Sequence, residues 1–257
     1  MNMQIPEWFA VDLAAVSLTR RCDGPGCAMV VHRTAPSGLC EKCLAVVVER
    51  QREEVFTRAV PELHRTACFG PDLAAWCKDP AATRWAAAVG ERGPDCGVVT
   101  FWGTTGAGKS TLAAATLRAL LAGPRKHATV RWVDARDLAR ARRRHKLGRG
   151  EPPEIEAAIE ADLLVIDEIG KETGIKDANP EDVVLVLDER YRVRRGRMTL
   201  LTTEWAARPD VGGVKLSDIY MPSLVRRITE PYRAGPPPVG SAIVIQVRRE
   251  DEIKVAA

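Results

Sequence analysis

The chain has no uninterrupted apolar run of the ~18 residues that a membrane helix needs, so a membrane-spanning role is not expected. Its first ten residues, Met1 to Ala10, lack a basic patch followed by an apolar core. A secretory leader is therefore not expected either. A strong charge of one sign is also missing. The net charge is only +4 over 257 residues, with a pI near 8.7, so any charged surface must come from local clustering. No aromatic residue interleaves with the arginines between 136 and 149, so base stacking is not indicated there. Disulfides are not expected. Seven cysteines without a leader point to a reducing cytoplasm, where they act as metal ligands or buried thiols.

What is present suits a globular protein. The chain is 46% hydrophobic and 28% charged, so a packed core is expected. Its length allows one sizeable domain plus a small appendage.

The strongest signal is Gly103-Thr104-Thr105-Gly106-Ala107-Gly108-Lys109-Ser110. It fits G-x-x-x-x-G-K-[ST], the phosphate-binding loop of nucleotide hydrolases. An apolar run, Val98 to Trp102, precedes it as a buried strand, and Thr111 to Leu121 follows as a helix. That is the strand–loop–helix context the motif requires. Glycines at 106 and 108 let successive amides face phosphate oxygens at a helix N-terminus. Residues Gly103 through Thr111 are thus expected to cradle a nucleoside triphosphate. Lys109 is expected to reach the β- and γ-phosphates, and the Ser110 hydroxyl to ligate Mg²⁺.

A second motif completes the chemistry. Leu163 to Ile166 reads as a buried strand ending at Asp167 and Glu168. In open α/β sheets, ligands lie at the carboxyl ends of strands. Asp167 is expected to organise Mg²⁺, and Glu168 to polarise the attacking water. Met198 to Thr203 reads as another buried strand, whose polar end can face the γ-phosphate or its water.

The N-terminal part carries different chemistry. Cys22 and Cys27 form one pair, Cys40 and Cys43 another, with twelve residues between Cys27 and Cys40. Two such pairs suit a tetrahedral structural zinc site. Zinc would supply folding energy that so short a segment cannot draw from a core. His32 lies between the pairs and is expected to be solvated. The charged residues from 44 to about 60 read as a linking helix. Cys68, Cys77 and Cys96 have no paired spacing and are expected to be buried thiols.

Two arginine-rich stretches stand out. The first holds Arg136, Arg140, Arg142, Arg143, Arg144, Lys146 and Arg149. It suits a nucleic-acid backbone, or equally an electrostatic partner for the acidic residues Glu151, Glu154, Glu156 and Glu160. The second holds Arg190, Arg192, Arg194, Arg195 and Arg197. The final ten residues are expected to fray.

The order of these parts, from about residue 61 to 233, resembles the DnaC/IstB family of AAA+ ATPases. These are replicative helicase loaders and related ATPase subunits of transposons. The matching stretches are Gly103 to Ser110, Val130 to Leu138, Leu163 to Gly170, Glu189-Arg190-Tyr191, and Thr199 to Glu204. The resemblance implies an α/β fold: a P-loop AAA+ parallel sheet flanked by helices. Residues 1–60 are expected to form a small zinc-binding module with a linker helix, and residues 61–257 the AAA+ ATPase domain. It implies Walker A at Lys109 and Ser110, Walker B at Asp167 and Glu168, and a sensor position at Thr203 or Glu204. The family usually carries asparagine where Glu204 stands. Arg227, with Arg226 beside it, is similar to an arginine finger acting on a neighbouring subunit's nucleotide, the alternative being a salt-bridging surface helix.

The expected function is a cytoplasmic, Mg-dependent, helicase-loader-like ATPase. It would oligomerise with ATP, contact single-stranded DNA and grip a replicative helicase. A transposition helper ATPase that recruits a transposase is the nearest alternative. A P-loop small-molecule kinase is the alternative from another class. The expected cofactors and ligands are ATP, Mg²⁺ and Zn²⁺.

Overall fold

The computed structural model describes residues 19–32, 37–92, 97–123, 128–145, 150–174, 180–192, 197–205, 215–229 and 242–255. Trp8, Phe9, Cys96, Lys146, Arg149, Arg194, Arg195 and the proline segment 236–238 lie outside them. The chain divides into two compact units, Met1–Glu53 and Glu54–Ala257. Among the described residues no helix is long and apolar enough to cross a membrane.

The first unit contains a short antiparallel hairpin, β1 (Thr19–Arg21) with β2 (Val30–His32). Sequence reading did not anticipate this hairpin. Helix α1 (Glu41–Ala59) begins in this unit and ends in the second. Cys22, Val31 and Cys40 form its small buried cluster.

The second unit is built on five parallel strands: β3 (Val98–Trp102), β4 (Val130–Asp134), β5 (Leu163–Asp167), β6 (Met198–Thr203) and β7 (Ala242–Gln246). Their order is β4-β5-β6-β3-β7. Each neighbouring pair is parallel, so every crossover must pass over a face of the sheet. Helices therefore cover both faces, which explains why the strands read as continuous apolar runs. Leu163 to Ile166 are all essentially inaccessible to solvent.

Alternation along the strands divides the core in two. Val99, Phe101, Val165 and Leu200 face one cluster with α2 (Pro80–Arg92) and α3 (Lys109–Ala122). Leu164, Ile166 and Leu201 face the other, with α4 (Ala135–Arg144), α5 (Pro153–Glu160), α6 (Pro180–Arg192) and α7 (Pro222–Thr229). Helix α5 falls on the stretch read only as acidic. Its signal was present in Pro153 at the first turn and in Ile155 and Ala158, both buried on one face.

Two further expectations need correction. Residues Glu250–Val255 form helix α8 rather than a frayed end, because Glu252 accepts a hydrogen bond from the Arg249 amide at 2.9 Å and caps it. Arg190 does not belong to a basic surface. It is only 4% exposed and donates to five acceptors: the carbonyls of Ala158, Ile159, Ala161 and Met198, and the Thr199 hydroxyl. Three of those carbonyls end α5, where no further helical turn supplies amides. Desolvation lowers its pKa to about 9, which leaves it charged at neutral pH.

Candidate functional site

The phosphate loop sits between β3 and α3, where the sequence places it. Gly108 has φ +91, and a Cβ there would collide with the Trp76 carbonyl, so only glycine fits. Helix α3 starts at the next residue. Lys109 Nζ donates to the Gly103 carbonyl at 2.9 Å and the Thr104 carbonyl at 2.8 Å. Its pKa is lowered, chiefly by burial.

The parallel pairing brings the ends of β3, β5 and β6 together. The Ser110 hydroxyl donates to Asp167 Oδ1 at 2.8 Å, and the Thr202 hydroxyl donates to the same oxygen. The Glu168 amide donates to Thr202 Oγ1 at 2.9 Å. Glu168 has φ +60, the one positive value at a non-glycine among the described residues. That left-handed geometry costs about 1–3 kcal/mol and is held by the Thr202 contact and by the Ile169 amide on the Thr202 carbonyl.

Lys109, Ser110, Glu168 and Thr202 line one cleft of about 310 Å³ with His64, Trp76, Thr105, Thr111, Lys171 and Glu204. The cleft is strongly charged. Glu168 Oε1 is 2.8 Å from Lys171 Nζ, and Oε2 is 2.8 Å from Arg136. Glu204 accepts from the Thr105 hydroxyl at 2.7 Å and lies 3.8 Å from Lys171. Burial lowers the pKa of His64, whose Nδ1 is 3.1 Å from Thr111 Oγ1 and whose ring stacks on Trp132.

The two threonines that end β6 separate by alternation. Thr202 reaches the cleft. Thr203 is fully buried and donates to the Ile169 carbonyl at 2.9 Å. Of the two candidate sensor positions, Glu204 lines the cleft and Thr203 does not. The backbone at Arg227 lies in α7, and its side chain is outside the described residues. Arg226 is exposed on the same helix.

Three members of the first arginine stretch have carboxylate partners within the fold. Arg136 pairs with Asp134 and Glu168. Arg142 pairs with Glu151 at 2.7 Å and with buried Asp182 at 2.8 Å. Arg144 pairs with Asp137. The electrostatic-partner reading therefore holds for Arg142. Arg136 instead pairs with Glu168, which lines the cleft. Sequence reading missed Lys171, His64 and Trp76 as cleft residues and Arg136 as a partner of Glu168. Only Lys171 carried a local signal, three residues after Glu168.

In the N-terminal unit the sulfurs of Cys22, Cys27, Cys40 and Cys43 all lie within 4.8 Å of one another. A tetrahedral zinc with bonds of about 2.3 Å needs such spacing. The Cys40 amide donates to Cys22 Sγ at 3.1 Å and the Gly24 amide at 3.4 Å, contacts that favour thiolate. A Cβ on Gly24 would collide with Cys43 Sγ, so the chain wraps this centre closely. A backbone hydrogen bond at Cys43 lowers the Cys40 thiol to about 7, while neighbouring sulfurs, Cys27 first, push Cys43 up to about 12. A cation among the sulfurs removes that mutual penalty. The residues fit zinc.

A parallel sheet with a glycine phosphate loop after one strand and paired carboxylates after another defines a P-loop nucleotide-binding domain of the α/β class. Residues 95–208 match the family described as IstB-like ATP binding protein. Over that region the chain is similar to IstB-like ATP-binding proteins. No curated protein matches the chain. Similar solved structures include the DnaC helicase loader, at 21% identity over 72% of this chain and 99% of that one, with TM-score 0.48. DnaI is similar at 17% identity over 77% and 96%, with TM-score 0.44. AMPPCP-bound DnaA from Aquifex aeolicus is similar at 18% over 65% and 44%, with TM-score 0.42. The chain spans about half the length of three of the solved chains it is similar to, 44%, 46% and 51%.

Proposed function

We propose that this protein is an Mg-dependent ATPase that acts on DNA as a helicase-loader-like AAA+ protein. The observation that carries the reading is the junction of phosphate loop and carboxylates: Ser110 on Asp167, with Glu168 next to it at the mouth of the cleft. Loop amides from Gly103 to Thr111 bind the phosphates, and Lys109 leaves the Gly103 and Thr104 carbonyls to meet the β- and γ-oxygens. Ser110 and Asp167 offer hard oxygen donors, which fit Mg²⁺. That ion would neutralise phosphate charge there. Glu168 orients the attacking water and takes its proton. Arg227 on α7 serves a neighbouring subunit's γ-phosphate, which ties hydrolysis to assembly with ATP.

Residues 1–60 are a zinc-binding module that docks a partner, and residues 61–257 the ATPase. The partner is a replicative helicase. The family name on residues 95–208 equally favours a second reading, a helper that recruits a transposase. The protein works in the cytoplasm on single-stranded DNA. ATP hydrolysis is measured without DNA and with single- or double-stranded DNA, alongside sizing with and without ATP. Hydrolysis stimulated by single strands, with ATP-dependent assembly, is expected. Stimulation by duplex DNA alone would favour the transposition helper. Phosphate transfer to a small acceptor without DNA stimulation would replace both by a kinase.

A further inference from the structure

The cleft holds two lysines, and the phosphate-loop motif accounts for only one. Lys171 Nζ lies 2.8 Å from Glu168 Oε1 and 3.8 Å from Glu204 Oε2. Arg136 takes the other Glu168 oxygen at 2.8 Å. Both oxygens of the proposed base are thus occupied by cations. Each oxygen therefore has one of its two lone pairs committed to a cation.

The two cations are not equivalent. Arg136 is anchored by Asp134, which accepts from its Nε at 2.9 Å and from its backbone amide at 2.8 Å. Lys171 has a single flexible stem and only carboxylate partners in the cleft. The Glu168 contact raises its pKa, so it stays protonated. Its charge also acts on Lys109, lowering that group's pKa. Both ammonium groups therefore act on the same part of the cleft.

Glu204 adds a second reason. A triphosphate entering beside Glu168 and Glu204 meets two carboxylates, a strongly repulsive arrangement in a partly buried site. A cation must stand between them and the phosphate. Lys171, which lies beside both carboxylates, can do so.

We propose that Lys171 is a γ-phosphate ligand that releases the base. On ATP entry its ammonium exchanges Glu168 Oε1 for a γ-phosphate oxygen, and Glu168 is freed on that side to accept a proton. Arg136 keeps the other oxygen and so fixes the carboxylate's direction. The water oxygen then bonds to the γ-phosphorus, and the bond from that phosphorus to the bridging oxygen breaks with its electron pair left on ADP. One water proton passes to Glu168, and Lys171 remains protonated throughout. ADP has no γ-phosphate, so with ADP bound Lys171 stays on Glu168. The proposal rests on the reading of this cleft as an ATPase site.

The test compares the full-length protein with Lys171→Met and Lys171→Arg. Each is checked by circular dichroism, then titrated with fluorescent ADP and a non-hydrolysable ATP analogue and assayed for turnover. For Lys171→Met, ADP affinity should stay within about twofold. Affinity for the ATP analogue should fall ~10-fold, the scale of one charge-assisted hydrogen bond. The kcat should fall ~100-fold, the scale of a lost donor to developing charge. Lys171→Arg should recover part of both losses. Wild-type turnover and nucleotide affinity in Lys171→Met would overturn the proposal, as would equal losses for ADP and the ATP analogue. A wild-type protein that does not hydrolyse ATP would instead sink the underlying ATPase reading.

Discussion

Replacing Arg190 with methionine tests the separation of structural from surface arginines. The native guanidinium satisfies four backbone carbonyls and one hydroxyl, joining the end of α5, helix α6 and the start of β6. Methionine fills similar space but donates nothing. Four carbonyls lose this charged donor, at about 2 kcal/mol each. The charge near the end of α5 also disappears, worth about 0.5 kcal/mol. Against this, the buried charge no longer needs desolvation, which returns about 5 kcal/mol. The net loss is about 3–4 kcal/mol. At roughly 2–4 °C per kcal/mol for a domain of this size, the melting temperature should fall by about 10 °C. Arg192→Ala is the control, since that side chain is 70% exposed and pairs with Glu189. It should shift stability by no more than about 0.5 kcal/mol. Thermal and urea unfolding read both. An Arg190→Met protein melting within about 3 °C of wild type, but with weakened DNA binding, would refute the structural assignment and return Arg190 to the surface.

Other expectations follow from the site and the packing. Glu168→Gln should keep ATP affinity and lower kcat by ~100-fold or more; unchanged turnover would remove Glu168 as the base. Cys40→Ser with Cys43→Ser should abolish bound zinc in elemental analysis while leaving nucleotide affinity intact, and wild-type protein free of zinc would remove the metal assignment. Asp79 is only 1% exposed, caps α2 through the Ala81 and Ala82 amides, and pairs with Arg248. Burial opposes its ionisation, but the Arg248 and amide contacts prevail and lower its pKa. A lowered folded pKa means its contribution is present above the unfolded value of about 3.9 and lost as pH falls through the folded one. Asp79→Asn should therefore cost about 1–2 kcal/mol at pH 7, and the gap in melting temperature should close below about pH 4. A gap independent of pH would show that the carboxylate charge is irrelevant there.

The phosphate loop, Asp167 with Glu168, and the four cysteines were legible because each is a short pattern with a fixed spacing. The strands were legible because a sheet buried on both faces demands apolar runs such as Leu163 to Ile166. The hairpin in the cysteine-bearing unit and helix α5 were less so, since three-residue strands and an eight-residue helix carry little periodicity. Charge partners were the least visible. Arg142 finds Asp182 forty residues away, and Thr104 donates to Glu252 across 148 residues. An arginine-rich run looks the same whether its members face solvent or a buried carboxylate.

Sequence alone therefore determined the kind of pattern: a glycine phosphate-loop motif, a pair of carboxylates at a strand end, and a quartet of cysteines. These depend on contiguous residues, whose geometry is set by local backbone rules. Only the tertiary structure decided which charges meet in the cleft. It brought Lys171, Arg136 and Glu204 around Glu168 and withdrew Arg190 into the core. The parallel sheet is the reason, because it aligns the carboxyl ends of strands that are far apart in the chain, and the partners of each charge are chosen there.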